Sequence, residues 1–219
     1  MKEQILEAFN FRHACKVFDE TKKISDEDFA FILETGRLSP SSFGFEPWKF
    51  LVVQNRQLRN KLLPVTWGAQ GTLPTASHFL VVLARKSATM RFDSSYISHM
   101  MRDVHHLDET AAERRRNIYR KFQQEDFDLF ASERAMFDWA AKQTYIAMGN
   151  MMSSAAMIGI DSCPVEGFIR DRAEALLADA FGVDTELYGI AYMLAFGYRV
   201  DEPRPKTRQP MEDIVTWYR

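Results

Sequence analysis

The chain has 219 residues, with 28 Lys and Arg against 30 Asp and Glu, giving a formal net charge of -2. No overall field favours nucleic acid or an anionic membrane surface, so neither is an expected partner, and the length suits one domain, residues 1–219, around a single sizeable core. The N-terminus MKEQILEAFNF is charged and amphipathic and lacks the apolar run and small-residue cleavage site of an export signal, so the expected location is the cytoplasm. Cys15 and Cys163 lie far apart in sequence without a CxxC or ligand-spaced companion, which argues against a disulfide framework or a zinc site.

In chain order, Lys2 to Phe9 predicts a short helix, followed by RHACKVFD, which is polar and cationic before it turns apolar. Ser25 with Asp28 three residues on is a helix-start signal, and Phe29, Ile32, Leu33 and Gly36 mark one face of a helix that stops near Ser39-Pro40. SSFGFEP is a turn-rich loop, and Trp48 to Gln54 is an apolar run of strand length. Arg56 to Leu63 predicts a helix that Pro64 ends. After the WGAQG loop a short helical piece leads to His78 to Ala84, a continuous apolar strand of the buried kind. From Ser94 to Phe130 the pattern is helical and highly charged, with ERRRNIYRKF in its middle, and it reads as a peripheral excursion with too few apolar positions for a core.

The next stretch organises the chain. Between Phe137 and Ile158 the large apolar residues fall on every side of a helix, which breaks at Gly159 and would be about 33 Å long. A helix buried all round is hard to enclose in one chain of this size, and its small residues, among them Ala140, Ala147, Gly149 and Ala155, admit close approach of its own copy across a two-fold. Asp138, Lys142, Gln143 and Asn150 interrupt it, so it is not a membrane span. Then come a strand at Ile160 to Pro164, a helix from Phe168 to Phe181 closed by Gly182, and a buried strand within Leu187 to Tyr198. The tail ends in Ile214, Val215, Trp217 and Tyr218, an apolar patch that suggests an arm docking on a sheet, with its edge pairing offered to a partner subunit. The expected fold class is α+β, helices around a mixed sheet of four or five strands.

No GxGxxG turn, P-loop or GxSxG elbow is present. What recurs is positive charge without a neighbouring acid, in Arg12-His13-Ala14-Cys15-Lys16 and in Lys206-Thr207-Arg208. Taken singly, each is an ordinary solvated basic surface; together they suit a phosphate monoester, because Arg offers a bidentate fork and Lys a point charge. RHACKVFD, SPSSFGFEPWKF, TASHFLVV, MFDWAAKQTYIAMGN running into PVEGF, and RPKTRQP resemble, in order and spacing, the FMN-dependent nitroreductase family, over nearly the whole chain.

The resemblance implies a homodimeric α+β fold with the long helices at the interface and two FMN sites, each lined by both chains. It implies that Arg12, His13, Ala14 and Lys16 bind FMN, Arg12 at the phosphate and Lys16 at the pyrimidine edge, where a lysine favours the reduced anion. Pro40, Ser41, Ser42 and Gly44 would come from the partner chain. Pro164, Val165, Glu166 and Gly167 would pack on the ring, with a backbone N–H of Glu166 or Gly167 facing flavin N5, and Lys206 and Arg208 would clamp the phosphate. Ala14 stands where the motif usually has serine, and in Ala69-Gln70-Gly71-Thr72 only Gln70 keeps an amide for the flavin's N3 and O4 edge.

The implied activity passes hydride from a transient NAD(P)H through flavin N5 to a small-molecule acceptor, a nitroaromatic or quinone, in a ping-pong cycle. The flavin carries that chemistry, so no side chain is assigned as catalytic, while Lys16, Glu166 and Gly167 tune it. Rival readings are a dehalogenase- or dehydrogenase-like relative, a non-catalytic FMN-binding protein, and a metal hydrolase using His99, Asp103, His105, His106 and Asp108. The last group sits in the charged excursion, where a solvated helix is the simpler account, and no metal is expected. Cys15 reads as a packed thiol. Tyr119, Phe122, Phe127 and Phe130 are either helix packing or an apolar wall over the flavin, Phe122, Phe127 and Phe130 then touching substrate.

Overall fold

The computed structural model describes every residue from Met1 to Arg219. The helices are α1 (Lys2–Phe11), α2 (Asp26–Arg37), α3 (Arg56–Leu62), α4 (Thr72–Thr75), α5 (Ser87–Met90), α6 (Ser95–His99), α7 (Glu109–Lys121), α8 (Glu133–Met157), α9 (Arg170–Phe181) and α10 (Met211–Ile214). The strands are β1 (Trp48–Val52), β2 (His78–Arg85), β3 (Asp161–Val165) and β4 (Tyr188–Gly197). Local signals act as expected: the Ser25 hydroxyl accepts from the Asp28 N–H at 3.1 Å, which starts α2. Gly182, at φ 65, closes α9 in the left-handed conformation that an L side chain resists.

The four strands form one sheet in the order β1-β2-β4-β3. All three pairings are antiparallel, which corrects the expectation of a mixed sheet; the one parallel element is an isolated bridge between Ala14 and Ser162. Continuous apolar runs mark strands buried on both faces but do not fix their direction. Along β2 the alternation sends Phe79, Val81 and Leu83 to the face covered by α3 and α9, and Leu80 and Val82 to the face covered by α2 and α8. The register passes from Val82–Tyr192 to Leu83–Ile190, so Ala191 is an extra residue in β4; Tyr192 keeps the α8 face of Leu194 and Phe196, and the bulge sends Ile190 to the opposite face. Each Leu, Ile or Val buried in this way contributes about 1.5–3 kcal/mol.

A further expectation is corrected. The segment from Ser94 to Phe130 has a core of its own, in which Ile97, Met101, Ala112 and Tyr119 pack with Phe45, Met90, Met136 and Trp139 from outside it. Gln123 is buried there with its polar atoms satisfied, donating to Met90 O at 2.7 Å and accepting from Phe92 N–H at 2.9 Å. As expected of a helix too long for one chain to enclose, α8 keeps an exposed stripe of Lys142, Ile146, Asn150 and Met157 at helical spacing, and Ile146 is 40% exposed. The tail forms no strand; α10 is its one regular element, and Trp217 and Tyr218 are exposed.

Candidate functional site

Close backbone approaches bring three segments together around β3. The Gly68 N–H donates to Gly167 O at 2.7 Å, and a Cβ on Gly68 would stand 2.9 Å from Gly167 Cα. A Cβ on Gly71 would lie 2.5 Å from Lys16 O, so neither glycine accepts a side chain without backbone displacement. Cys15 N–H donates to Ser162 O at 3.1 Å beside the Ala14–Ser162 bridge, and Lys16 Nζ donates to Cys163 Sγ at 3.5 Å. Lys16, Pro164, Val165 and the Glu166-Gly167 turn that follows β3 therefore form one neighbourhood.

The Glu166 carboxylate accepts from the Tyr145 hydroxyl of α8, and the Tyr145 ring stands edge-on to Tyr192 at 5.0 Å. Burial, and then the hydrogen bond to Glu166, hold the Tyr145 phenol above its usual range, so it stays a donor. Tyr145 and Glu166 line a cleft of about 490 Å³ with Lys142, Phe168 and Arg170.

The two basic clusters meet. Arg12, His13 and Ala14 line a cavity of about 320 Å³ with Lys206, Thr207 and Arg208, and the Lys206 ammonium donates to the Arg12 carbonyl. Burial, then the positive charges of Arg12 and Arg208, lower the Lys206 pKa, the mark of cations held together without an acid among them. An ion pair that sequence reasoning missed holds this cradle. Arg199 donates through its backbone N–H to Asp161 Oδ2 at 2.9 Å, and its guanidinium lies 2.7 Å from Asp161 Oδ1. The same guanidinium donates to Phe11 O at 3.1 Å and stacks over the Phe11 ring at 4.1 Å, joining the end of α1, the start of β3 and the tail. The signal was an acid at one end of an apolar run and an arginine just past another, which become neighbours once Asp161 pairs with Gly197.

The remaining expected residues lie elsewhere or are occupied. In the loop Pro40, Ser41, Ser42 and Gly44, Ser42 N–H donates to Gln143 Oε1 of α8 at 2.9 Å, Ser41 Oγ accepts from Glu46 N–H at 2.9 Å, and Gly44 O accepts from His105 Nε2 at 2.9 Å. This loop is anchored on α8 and the excursion, away from the cradle. Gln70 lies beside the Lys16 segment, but its amide nitrogen donates to Leu63 O at 2.8 Å and Thr66 O at 2.9 Å, leaving only its carbonyl free toward a ligand. Phe122 packs with Phe43, Phe127 and Trp139, and Phe130 with Phe92 beneath Arg91, so within one chain Phe122 and Phe130 are packing residues, while Phe127 touches Phe122 and is 58% exposed.

Burial pushes the Cys15 thiol up to about 11, with the Asp161 charge adding to the effect, so it is a packed thiol and no nucleophile. His99 pairs with Asp103 at 2.8 Å, His105 bonds Gly44, and Asp108 caps α7 through Ala111 N–H, separate structural tasks for residues that cluster in sequence.

The chain matches the model described as "Nitroreductase family" over residues 10–198. It is 52% identical over 217 residues to YfkO of Bacillus subtilis (strain 168), provisionally named an NAD(P)H nitroreductase, covering 99% of this chain and 98% of that one. It is 53% identical over 218 residues to a similarly named protein of Staphylococcus epidermidis, SERP2086, with the same coverage of 99% and 98%. Among solved structures, a provisionally named nitroreductase of Exiguobacterium sibiricum 255-15 in complex with FMN superposes with a TM-score of 0.76 at 24% identity, over 98% of this chain and 97% of that one.

Proposed function

The chain belongs to the nitroreductase family, and from that membership we propose that it is an FMN-dependent NAD(P)H oxidoreductase whose two flavin sites are each lined by both chains of a homodimer. The observation that carries the proposal is the convergence of the two basic clusters, Arg12 with Lys206 and Arg208, on one cavity of about 320 Å³ next to the Lys16 and Glu166-Gly167 neighbourhood. The residues fit a phosphorylated flavin: cations without an acid suit the phosphate, and backbone meeting backbone at Gly68 and Gly167 holds the Glu166-Gly167 turn in place.

FMN, when bound, supplies the hydride chemistry. Arg12, Lys206 and Arg208 hold the phosphate through charge-assisted hydrogen bonds, with His13 and Ala14 completing the wall. The Lys16 ammonium, resting on Cys163, would stand where the pyrimidine edge gains negative charge on reduction, and fixed positive charge there lowers the cost of that change. The Glu166 and Gly167 N–H groups would lie on the N5 side of the ring, Pro164 and Val165 would back it, and the Gln70 carbonyl would remain to accept from its pyrimidine edge. The missing dinucleotide-binding turn fits a ping-pong cycle in which NAD(P)H and a nitroaromatic or quinone would occupy the same cleft in turn.

The exposed α8 stripe, the 40–44 loop and the tail are the parts offered to a second copy. The loop would then reach the partner's flavin, with Phe122 and Phe127 carried alongside Phe43, and the arm would pair with the partner's sheet edge. No helix is long and apolar enough to cross a membrane.

The test is anaerobic titration of the purified yellow protein with NADH and NADPH, followed by steady-state oxidation with a panel of nitro compounds and quinones. Bleaching and turnover are the expected results. Bleaching without turnover on the panel points to a dehalogenase- or dehydrogenase-like relative, and yellow protein that neither nucleotide bleaches is an FMN-binding protein without the activity.

A further inference from the structure

We propose that His13 is the proton-binding wall of the cradle, so that entry of a phosphomonoester dianion is coupled to uptake of a proton by its imidazole. This rests on the FMN reading of the cradle and goes beyond it, because the cations alone predict no proton exchange near neutral pH.

The observation is an orphaned atom. His13 Nδ1 is buried and has no hydrogen-bond partner, although it lies 3.6 Å from Asp161 Oδ1, a distance of ion pairing and too long for a hydrogen bond. A buried polar atom left unsatisfied is rare and costly, so this one calls for a second state in which it is used. The groups facing the ring define that state. Without an anion, burial and then the Arg199 guanidinium hold the His13 pKa below its usual value, with Lys206 acting in the same direction; the Asp161 carboxylate and the nearby Phe11 carbonyl oppose them. Asp161 cannot prevail alone, because Arg199 already neutralises it.

A dianion in the cavity that His13 shares with Arg12, Lys206 and Arg208 reverses the balance. It cancels the cationic field that disfavoured imidazolium, and an opposite charge at contact range favours the charged form by about 10- to 1000-fold. The proton comes from solvent and forms an N–H bond on the ring; both nitrogens then carry hydrogen, and Nδ1 becomes a donor facing Asp161. The sign follows from linkage: the pKa is higher in the bound state, so this contribution to affinity is complete below the free-state pKa and is lost as pH rises through the bound-state pKa.

The experiment is calorimetric titration of the flavin-free full-length chain with FMN at pH 7.5, where the ligand phosphate, with a second pKa of about 6, is already largely dianionic. It is repeated in buffers of different ionisation enthalpy, the slope of observed heat against that enthalpy counting the protons taken up. The expected result is uptake of about 0.5–1 proton per FMN, close to zero with phosphate-free riboflavin and close to zero for FMN binding to H13N. Across higher pH the wild-type dissociation constant for FMN rises by up to about tenfold per pH unit, and that of H13N changes much less. FMN binding by the wild type without proton uptake overturns the inference while leaving the cofactor reading intact, and so does equal uptake with riboflavin, even where H13N fails to fold. Equal uptake by folded H13N overturns it as well. No binding of FMN at all overturns both.

Discussion

The cradle and the exposed face of α8 are opposite solutions to the same task. The cradle is finished inside one chain: Arg199 and the buried Asp161 tie the end of α1, the start of β3 and the tail into one knot, and Lys206 rests on the Arg12 carbonyl. The α8 face is unfinished, with Ile146 exposed on a 25-residue helix and the 40–44 loop anchored beside it through Gln143. The difference teaches that, on the proposed reading, the phosphate end of the flavin is recognised by a single chain and the ring end waits for a second one. Charged groups suit the first task because their geometry is fixed by directional bonds; an open apolar stripe suits the second because association covers it.

The contrast can be broken most forcefully at the knot. Asp161→Asn leaves Arg199 without its carboxylate in a largely enclosed position, and urea denaturation should show a loss of about 3 kcal/mol, the lower end of the range because Glu202 and the Phe11 carbonyl still accept from Arg199. A change below 0.5 kcal/mol, taken as about the level of a surface substitution, would mean that the ion pair does not hold the cradle. Arg208→Ala removes one charge-assisted set of bonds and should weaken FMN retention by about 1.5–3 kcal/mol, read from flavin occupancy after dialysis, with unfolding of the flavin-free chain unchanged. Equal occupancy in wild type and variant would remove Arg208 from the phosphate clamp.

Smaller effects sharpen the other side. Tyr145→Phe deletes the donor to Glu166 and should raise the FMN dissociation constant by about 0.5–1.5 kcal/mol in free-energy terms, the ordinary net worth of one hydrogen bond. Ile146→Glu should leave the folding of a single chain within about 0.5 kcal/mol of wild type, since the side chain faces solvent there, while converting dimer to monomer in light scattering. A variant that stays dimeric would place the interface elsewhere.

Much of the frame was legible in the sequence because it depends on neighbours in the chain. Ser25 and Gly182 announce helix ends by local hydrogen bonding and backbone conformation, and His78 to Ala84 shows its burial in its own composition. What escaped depends on distant partners. The 94–130 segment looked coreless because half of its core, Phe45, Met90, Met136 and Trp139, lies outside it. Arg59 sits in RQLRNKL, a predicted helix whose pattern carries no sign of a buried arginine, yet its guanidinium is buried and donates to the carbonyls of Val53 at 2.7 Å and Ala76 at 2.7 Å.

The same limit applied at the candidate site. Resemblance located Arg12, Lys206 and Arg208, and the fold brings them to one cavity, with Lys16 on Cys163 nearby in the chain; Asp161 and Arg199 carried no motif, and their pairing exists only once β3 and β4 are in register. Gln70 was legible, through the resemblance, as an amide for the flavin's N3 and O4 edge but not as one whose donors are spent on Leu63 and Thr66.

The central claim, a phosphate end built by one chain and a ring end completed by two, is tested most directly by light scattering with simultaneous visible absorbance on the freshly purified protein. The account predicts one peak with the mass of two chains carrying two flavins. A monomer that keeps a full complement of FMN, or a dimer that takes up none when FMN is supplied, would contradict it.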